Sequence, residues 1–101
     1  MADVNYIQRV REALITKLGG HESIRGWGAN AEQLLDAYTQ LALTTGTETT
    51  SADVHDAWAV ITARTRPEHV LLVPFEDLDP DMQTRDDEFR DAVIAAAGEV
   101  A

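Results

Sequence analysis

The chain contains no cysteine. Disulfides, thiolate metal sites and a cysteine nucleophile are therefore excluded. Lysine is almost missing too: Lys17 stands alone beside seven arginines, against 18 acidic residues. The formal charge of −10 argues against direct binding to a nucleic-acid backbone or an anionic membrane, since both need basic surface. No apolar run approaches the ~20 residues that cross a bilayer. The opening residues, Met1-Ala2-Asp3-Val4-Asn5, lack the positive cluster and apolar stretch of a signal peptide. A cytoplasmic location is the expectation. There is no internal repeat, low-complexity tract or linker.

What is present is ordinary globular material. An apolar content of 45% is too high for a disordered chain. The 101 residues make a single domain, 1–101, that buries roughly 64% of its unfolded surface. That is room for one core and too little for a large enclosed active site. The acid is unevenly spread. Between Glu76 and Asp91, eight acidic residues face only Arg85 and Arg90, a net of −6 in one segment. Such a segment is either a solvated helix face or an acidic surface, for a basic partner or as a nucleic-acid mimic.

Apolar spacing predicts four helices. Tyr6, Ile7, Val10, Leu14 and Leu18 share one face of a first helix from near Val4 to Leu18, with Asp3 as N-cap and Gly19-Gly20 as its stop. A Gly-rich connection holding His21, Ile24, Arg25 and Trp27 follows. Asn30 is placed to cap a second helix from Ala31 to about Thr45, ended by Gly46. Thr50 and Asp53 form a capping pair for a third helix carrying Val54, His55, Trp58 and Ile61. Pro67 ends it, because the residue before a proline avoids helical geometry. Asp79-Pro80 starts a fourth helix bearing Met82, Phe89, Val93 and Ala96, with Gly98 at its end. Between the last two, His69 to Phe75 has no hairpin partner and reads as an irregular apolar crossover within residues 67–78. The fold class expected is all-α: a small orthogonal bundle of about four helices, with a helical pair over 1–46 and a helix-crossover-helix unit over 50–97.

No catalytic constellation is visible, and the chain is not expected to be an enzyme. Gly26-Trp27-Gly28 lacks the strand-loop-helix setting of a dinucleotide motif, and neighbouring carboxylates such as Asp86-Asp87 diverge on a helix. The three histidines show neither i, i+4 pairing nor an HExxH pattern, so no metal and no cofactor are expected. His55 and His69 suit hydrogen bonds that fix the crossover to backbone or to Asp56. Trp58 suits a core anchor first and a ligand wall second. Trp27, held between glycines, suits either a lid folded onto the bundle or an exposed contact.

The block Val54-His55-Asp56-Ala57-Trp58-Ala59, then His69-x-x-Leu72-Val73-Pro74-Phe75-x-x-Leu78, then Asp86, resembles the ryanodine-receptor (RyR) repeat. The likeness covers about the C-terminal half. Nearly the whole chain also resembles small helical actinobacterial and actinophage proteins; seven arginines and fifteen alanines fit such a GC-rich coding source. The host cytoplasm is the expected location for a phage-encoded copy. The RyR resemblance implies a helical module that binds a ligand or a protein. The chain departs from the repeat where Arg64-Thr65-Arg66-Pro67 replaces an aromatic-glycine insertion.

Two functions are carried forward. The first is a non-enzymatic interaction module with a protein partner, using Trp27, Asp81, Asp86 and Asp87. The second, implied by the resemblance, is a nucleotide-type binding domain using Trp58, Arg64, Arg66, His69 and Phe75. A homodimer through the two N-terminal helices is also expected. Tyr6, Ile7, Val10 and Leu14, with Leu34, Leu35, Tyr38 and Leu41, offer more apolar face than the rest of the chain needs.

Overall fold

Local signals at the helix ends explain most of the architecture. The computed structural model describes residues 5–100. Five α-helices are present: α1 Tyr6–Lys17, α2 His21–Arg25, α3 Ala31–Thr44, α4 Ser51–Thr65 and α5 Pro80–Val100. Short 3-10 turns at Gly46–Glu48 and Phe75–Asp77 complete it, and no strand occurs among the described residues. The all-α class is as expected. The additional helix is α2, one turn and a half inside the Gly-rich connection, which buries Ile24.

Asp3 lies outside the described residues. The side chain that caps α1 is Asn5, whose oxygen accepts the Gln8 N–H at 2.8 Å. The glycine stop works as expected. Gly19 takes φ +98°, a left-handed conformation open to glycine, and the Gly20 N–H then reaches back to the Ile15 carbonyl at 2.9 Å. The Thr50/Asp53 capping box forms in full, with bonds of 3.1 and 2.9 Å. Asp79 accepts the Met82 N–H at 3.1 Å at the head of α5.

Two expected boundaries need correction. Asn30 does not cap α3 with its side chain. Its backbone (φ −95°, ψ 10°) is not extended as a cap requires, so its amide turns away and donates to the Thr65 hydroxyl at 3.1 Å. Gly98 does not end the last helix; α5 continues to Val100. A glycine there costs about 1 kcal/mol against alanine. Burial of Ala92, Val93, Ala96 and Ala97 holds the last turns down, helped by a Lys17–Glu99 ion pair at 2.9 Å.

α5 is the spine: α1, α3 and α4 all pack on it. The core joins Val10, Leu14 and Ile15 of α1, Leu35 and Ala42 of α3, Val54 of α4, and Val93 and Ala96 of α5. This arrangement buries much of the apolar face on which the expected dimer rested. Val10, Leu14, Leu34, Leu35 and Tyr38 are consumed inside the monomer, leaving Tyr6 and Ile7 as what remains exposed of the α1 face. Leucine, isoleucine, valine and alanine make up most of the core, with Tyr38 among them. Trp27 and Trp58 are partly buried and pack against it.

Candidate functional site

The capping box fixes where α4 begins, and so which way His55 and Trp58 point. Three residues apart, they share one side of the helix. Their rings stack with centroids 5.6 Å apart. His55 is almost fully buried, and its Nε2–H donates to the Val73 carbonyl at 2.7 Å. That bond pins the middle of the crossover to α4, the backbone role expected of a histidine here. Asp56, the other expected partner, is exposed. His69 turns in from the crossover. Its Nδ1 accepts the Leu71 N–H at 3.1 Å, and its ring meets Trp58 edge-on at 5.2 Å.

The other side is helical. On α5, Met82, Arg85, Asp86 and Phe89 follow an i, i+3, i+4, i+7 pattern and form one stripe. The Gln83 amide donates to the Phe75 carbonyl at 3.0 Å, which ties the end of the crossover to this helix. α3 contributes Leu34 and Tyr38, one turn apart. Trp27 folds over them from the α2–α3 loop. Its ring stands edge-on to Tyr38 at 5.9 Å and to Phe89 at 5.7 Å.

These surfaces do not close on one another. They enclose a cavity of about 400 Å³ walled by Trp27, Tyr38, Trp58 and Phe89. Cavities of ~300–1,000 Å³ that are mostly apolar with a few polar groups are the usual form of small-molecule sites. The polar groups here fall into two sets. Arg66 and Arg85 are exposed at the mouth, and neither is in an ion pair among the described residues. Asp86 and Tyr38 lie deeper.

Asp86 is the only carboxylate among the described residues that lines the cavity, and its side chain is 17% exposed. Burial raises its carboxyl above the ordinary 3.8, the nearby His55 pulls it back down, and Asp87 adds a further upward push. The His55 Nδ1 lies 3.9 Å from Asp86, too far for a hydrogen bond. The Tyr38 hydroxyl is pushed far above its ordinary range by burial and by the Asp86 charge, so it stays protonated as a donor. Among the described residues, no three His, Asp or Glu side chains gather closely enough to share a metal ion. No helix among them is long and apolar enough to cross a membrane.

The structure divides the expected site residues. Trp58, Arg66 and His69 come together at the cavity. Arg64 does not; two residues along α4 from Thr62, it faces a shallow groove between α3 and α4. Phe75 packs behind His55 at 6.1 Å and stays outside the cavity. The residues expected to form one partner surface are also separated. Trp27 and Asp86 belong to the cavity. Asp87 accepts the Ser51 hydroxyl at 2.5 Å and a bond from Arg90 at 3.3 Å, a clamp holding the start of α4 on α5. Asp81 is exposed. The sequence reasoning missed Tyr38, Arg85 and Phe89 as site residues. The α5 stripe was available as a signal for Arg85 and Phe89; the approach of Tyr38 depends on tertiary packing.

No curated protein and no solved structure matches the chain. A family model described as a domain of unknown function (DUF7701) matches residues 5–98, and the chain belongs to that family.

Proposed function

We propose that this domain binds a small planar anionic ligand of the nucleotide type in the cavity between α3, α4, α5 and the crossover. The observation that carries the proposal is the composition of the cavity: four aromatic side chains around about 400 Å³, with Arg66 and Arg85 at its mouth in no ion pair among the described residues. Aromatic faces hold a planar base at ~1–3 kcal/mol per stacked ring. Guanidinium groups suit phosphate because they present paired donors in a plane. The overall charge of −10 opposes an anion at a distance. At physiological salt that field is screened within ~8 Å, so the two arginines at the mouth decide the local balance. The resemblance to nucleotide-binding RyR repeats points the same way, with Arg66 and not Arg64 placed to take a phosphate.

A thermal-shift and calorimetric screen of mononucleotides and cyclic oligonucleotides tests this. A ligand at a hundred times its dissociation constant stabilises the fold by about 2.7 kcal/mol. Trp58→Ala should abolish the shift, and Arg66→Gln with Arg85→Gln should weaken it most at low salt. Failure of every nucleotide to shift the wild-type melt would remove the proposal.

A protein partner is the second reading. It is favoured by Asp81 and Glu88 on α5, which are exposed and in no ion pair among the described residues. Partner capture from an actinobacterial lysate that weakens as salt rises would support it. The same captured proteins at every salt concentration would count against an acidic interface.

A further inference from the structure

The deep end of the cavity restricts which base would fit. Asp86 accepts no hydrogen bond from any described residue; the His55 Nδ1 is 3.9 Å away, beyond hydrogen-bond reach, and the Nε2–H of that ring is already committed to Val73. The Tyr38 hydroxyl likewise has no protein partner among the described residues, although the residue is 3% exposed. Both line the cavity. Among the described residues no fully buried side-chain polar atom lacks a partner, so the Asp86 carboxylate and the Tyr38 hydroxyl are reached from the cavity and are free to bond an occupant there.

We infer that the ligand is a purine nucleotide of the guanine type, whose base edge is read by Asp86 and Tyr38. This rests on the nucleotide reading above and deepens it. An ionised carboxylate only accepts, through two coplanar oxygens. Its best partner therefore offers two neighbouring N–H donors. Guanine does so with its ring N1–H and its exocyclic amine, and beside them sits the O6 acceptor for a hydroxyl donor such as Tyr38. Adenine and cytosine place one amine next to an acceptor nitrogen, which a carboxylate oxygen would repel. Uracil places one N–H between two acceptors. The carboxylate is also held at a cost, since burial disfavours its charge. A group that costs stability and faces a cavity is a candidate for recognition.

The test is calorimetry with guanosine, inosine and adenosine monophosphates on the wild type, on Asp86→Asn and on Tyr38→Phe, with thermal melts to confirm folding. Guanosine monophosphate should bind at least ~10-fold more tightly than adenosine monophosphate, the scale of one good bidentate contact. Inosine monophosphate, which keeps the ring N–H and lacks the amine, should fall between them. Asp86→Asn should bring the guanosine and adenosine affinities close to parity. Equal wild-type affinities for the three nucleotides, or an unchanged preference in Asp86→Asn, would overturn the guanine inference and leave nucleotide binding standing. Binding of none of them would overturn both. The three-nucleotide series on the wild type decides the matter even if a variant fails to fold.

Discussion

Replacing His55 separates two things that one ring does: it donates to the Val73 carbonyl at 2.7 Å, and it stacks on Trp58 while meeting Phe75 at a tilt. His55→Phe keeps a ring and loses the donor. His55→Gln keeps an N–H donor at similar reach and loses the ring. A backbone-directed hydrogen bond contributes a net ~0.5–1.5 kcal/mol, and a carbonyl left unpaired adds up to ~1–3 kcal/mol. Val73 is 39% exposed, so water can reach the segment and the low end applies. His55→Phe should therefore cost about 1.5 kcal/mol. For a domain of this size that lowers the melting temperature by roughly 6–12 °C. Losing two aromatic contacts costs a similar ~0.5–1.5 kcal/mol each, so His55→Gln should melt in the same range.

The melts alone do not distinguish the variants; amide exchange does. The crossover keeps its own turn bonds, Leu71 N–H to the His69 ring and Leu72 N–H to the His69 carbonyl, both at 3.1 Å. These amides report local opening of the segment. In His55→Phe they should exchange about tenfold faster, as 1.4 kcal/mol of lost restraint implies. In His55→Gln they should stay close to wild type. Unchanged exchange at Leu71 and Leu72 in His55→Phe would refute the claim that this bond holds the crossover. Equal acceleration in both variants would refute its assignment to the donor.

Asp86→Asn should melt above wild type at pH 7. The folded state holds this carboxyl's proton more tightly than the unfolded chain, so its contribution to stability falls as pH rises from 3.8 through the raised folded value. The charge is then a net cost at neutral pH, and the advantage of Asn should vanish in melts taken below pH 3.8. Leu14→Ala, at a fully buried position where α1 meets the core, should cost about 3–5 kcal/mol in a denaturant titration, a large share of a small domain's stability. Thr50→Ala should cost about 1 kcal/mol by the same measurement, because it removes the acceptor of the α4 capping box. Light scattering across a micromolar dilution series should return a mass near 11.1 kDa, since the apolar faces of α1 and α3 pack within one chain; a mass near double that would restore the dimer.

How much was legible depended on how local the cause was. The capping box at Thr50 and Asp53, the Asp79-Pro80 start, the glycine stop after α1 and the proline limit on α4 each involve residues within a few positions of one another. Sequence spacing is enough to read them. Asn30 misled because a cap needs extended backbone, and the turn set up by Gly28 delivers the chain to α3 in another conformation. Gly98 misled because helix continuation there is decided by packing of the α5 alanines, a tertiary effect that overrides propensity. The site divided along the same line. Trp58 and His69 carried a sequence pattern, and the structure brings them together. Arg64 and Arg66 look equivalent in sequence, but Arg64 still follows the helix onto another groove, whereas Arg66 is its C-cap and turns with the chain toward the cavity. Tyr38 comes from α3, far along the chain, and no spacing rule connects it to Trp27 or Phe89.

The distribution of aromatic residues argues that the cavity is a site and not a packing fault. The chain has six aromatic residues, and four of them wall this one space. Tryptophan is often only partly buried, so half-burial alone does not mark a site; what singles out Trp27 and Trp58 is that they share one cavity with Tyr38 and Phe89. Here the centre is filled by Leu14, Leu35, Val54, Val93 and small alanines, while Trp27 and Trp58 remain half-buried around a gap. The cavity opens at a mouth lined by exposed arginines, so its walls meet water where a filled site would give them packing contacts. It also holds a half-buried carboxylate whose charge is disfavoured by burial. A larger apolar side chain in place of Asp86 would fill part of it and remove that charge. Features that cost stability and are easily removed persist where function requires them. By that reasoning Asp86→Leu should stabilise the fold and abolish ligand binding together, whereas a mere packing fault would yield the first effect with nothing to lose in the second.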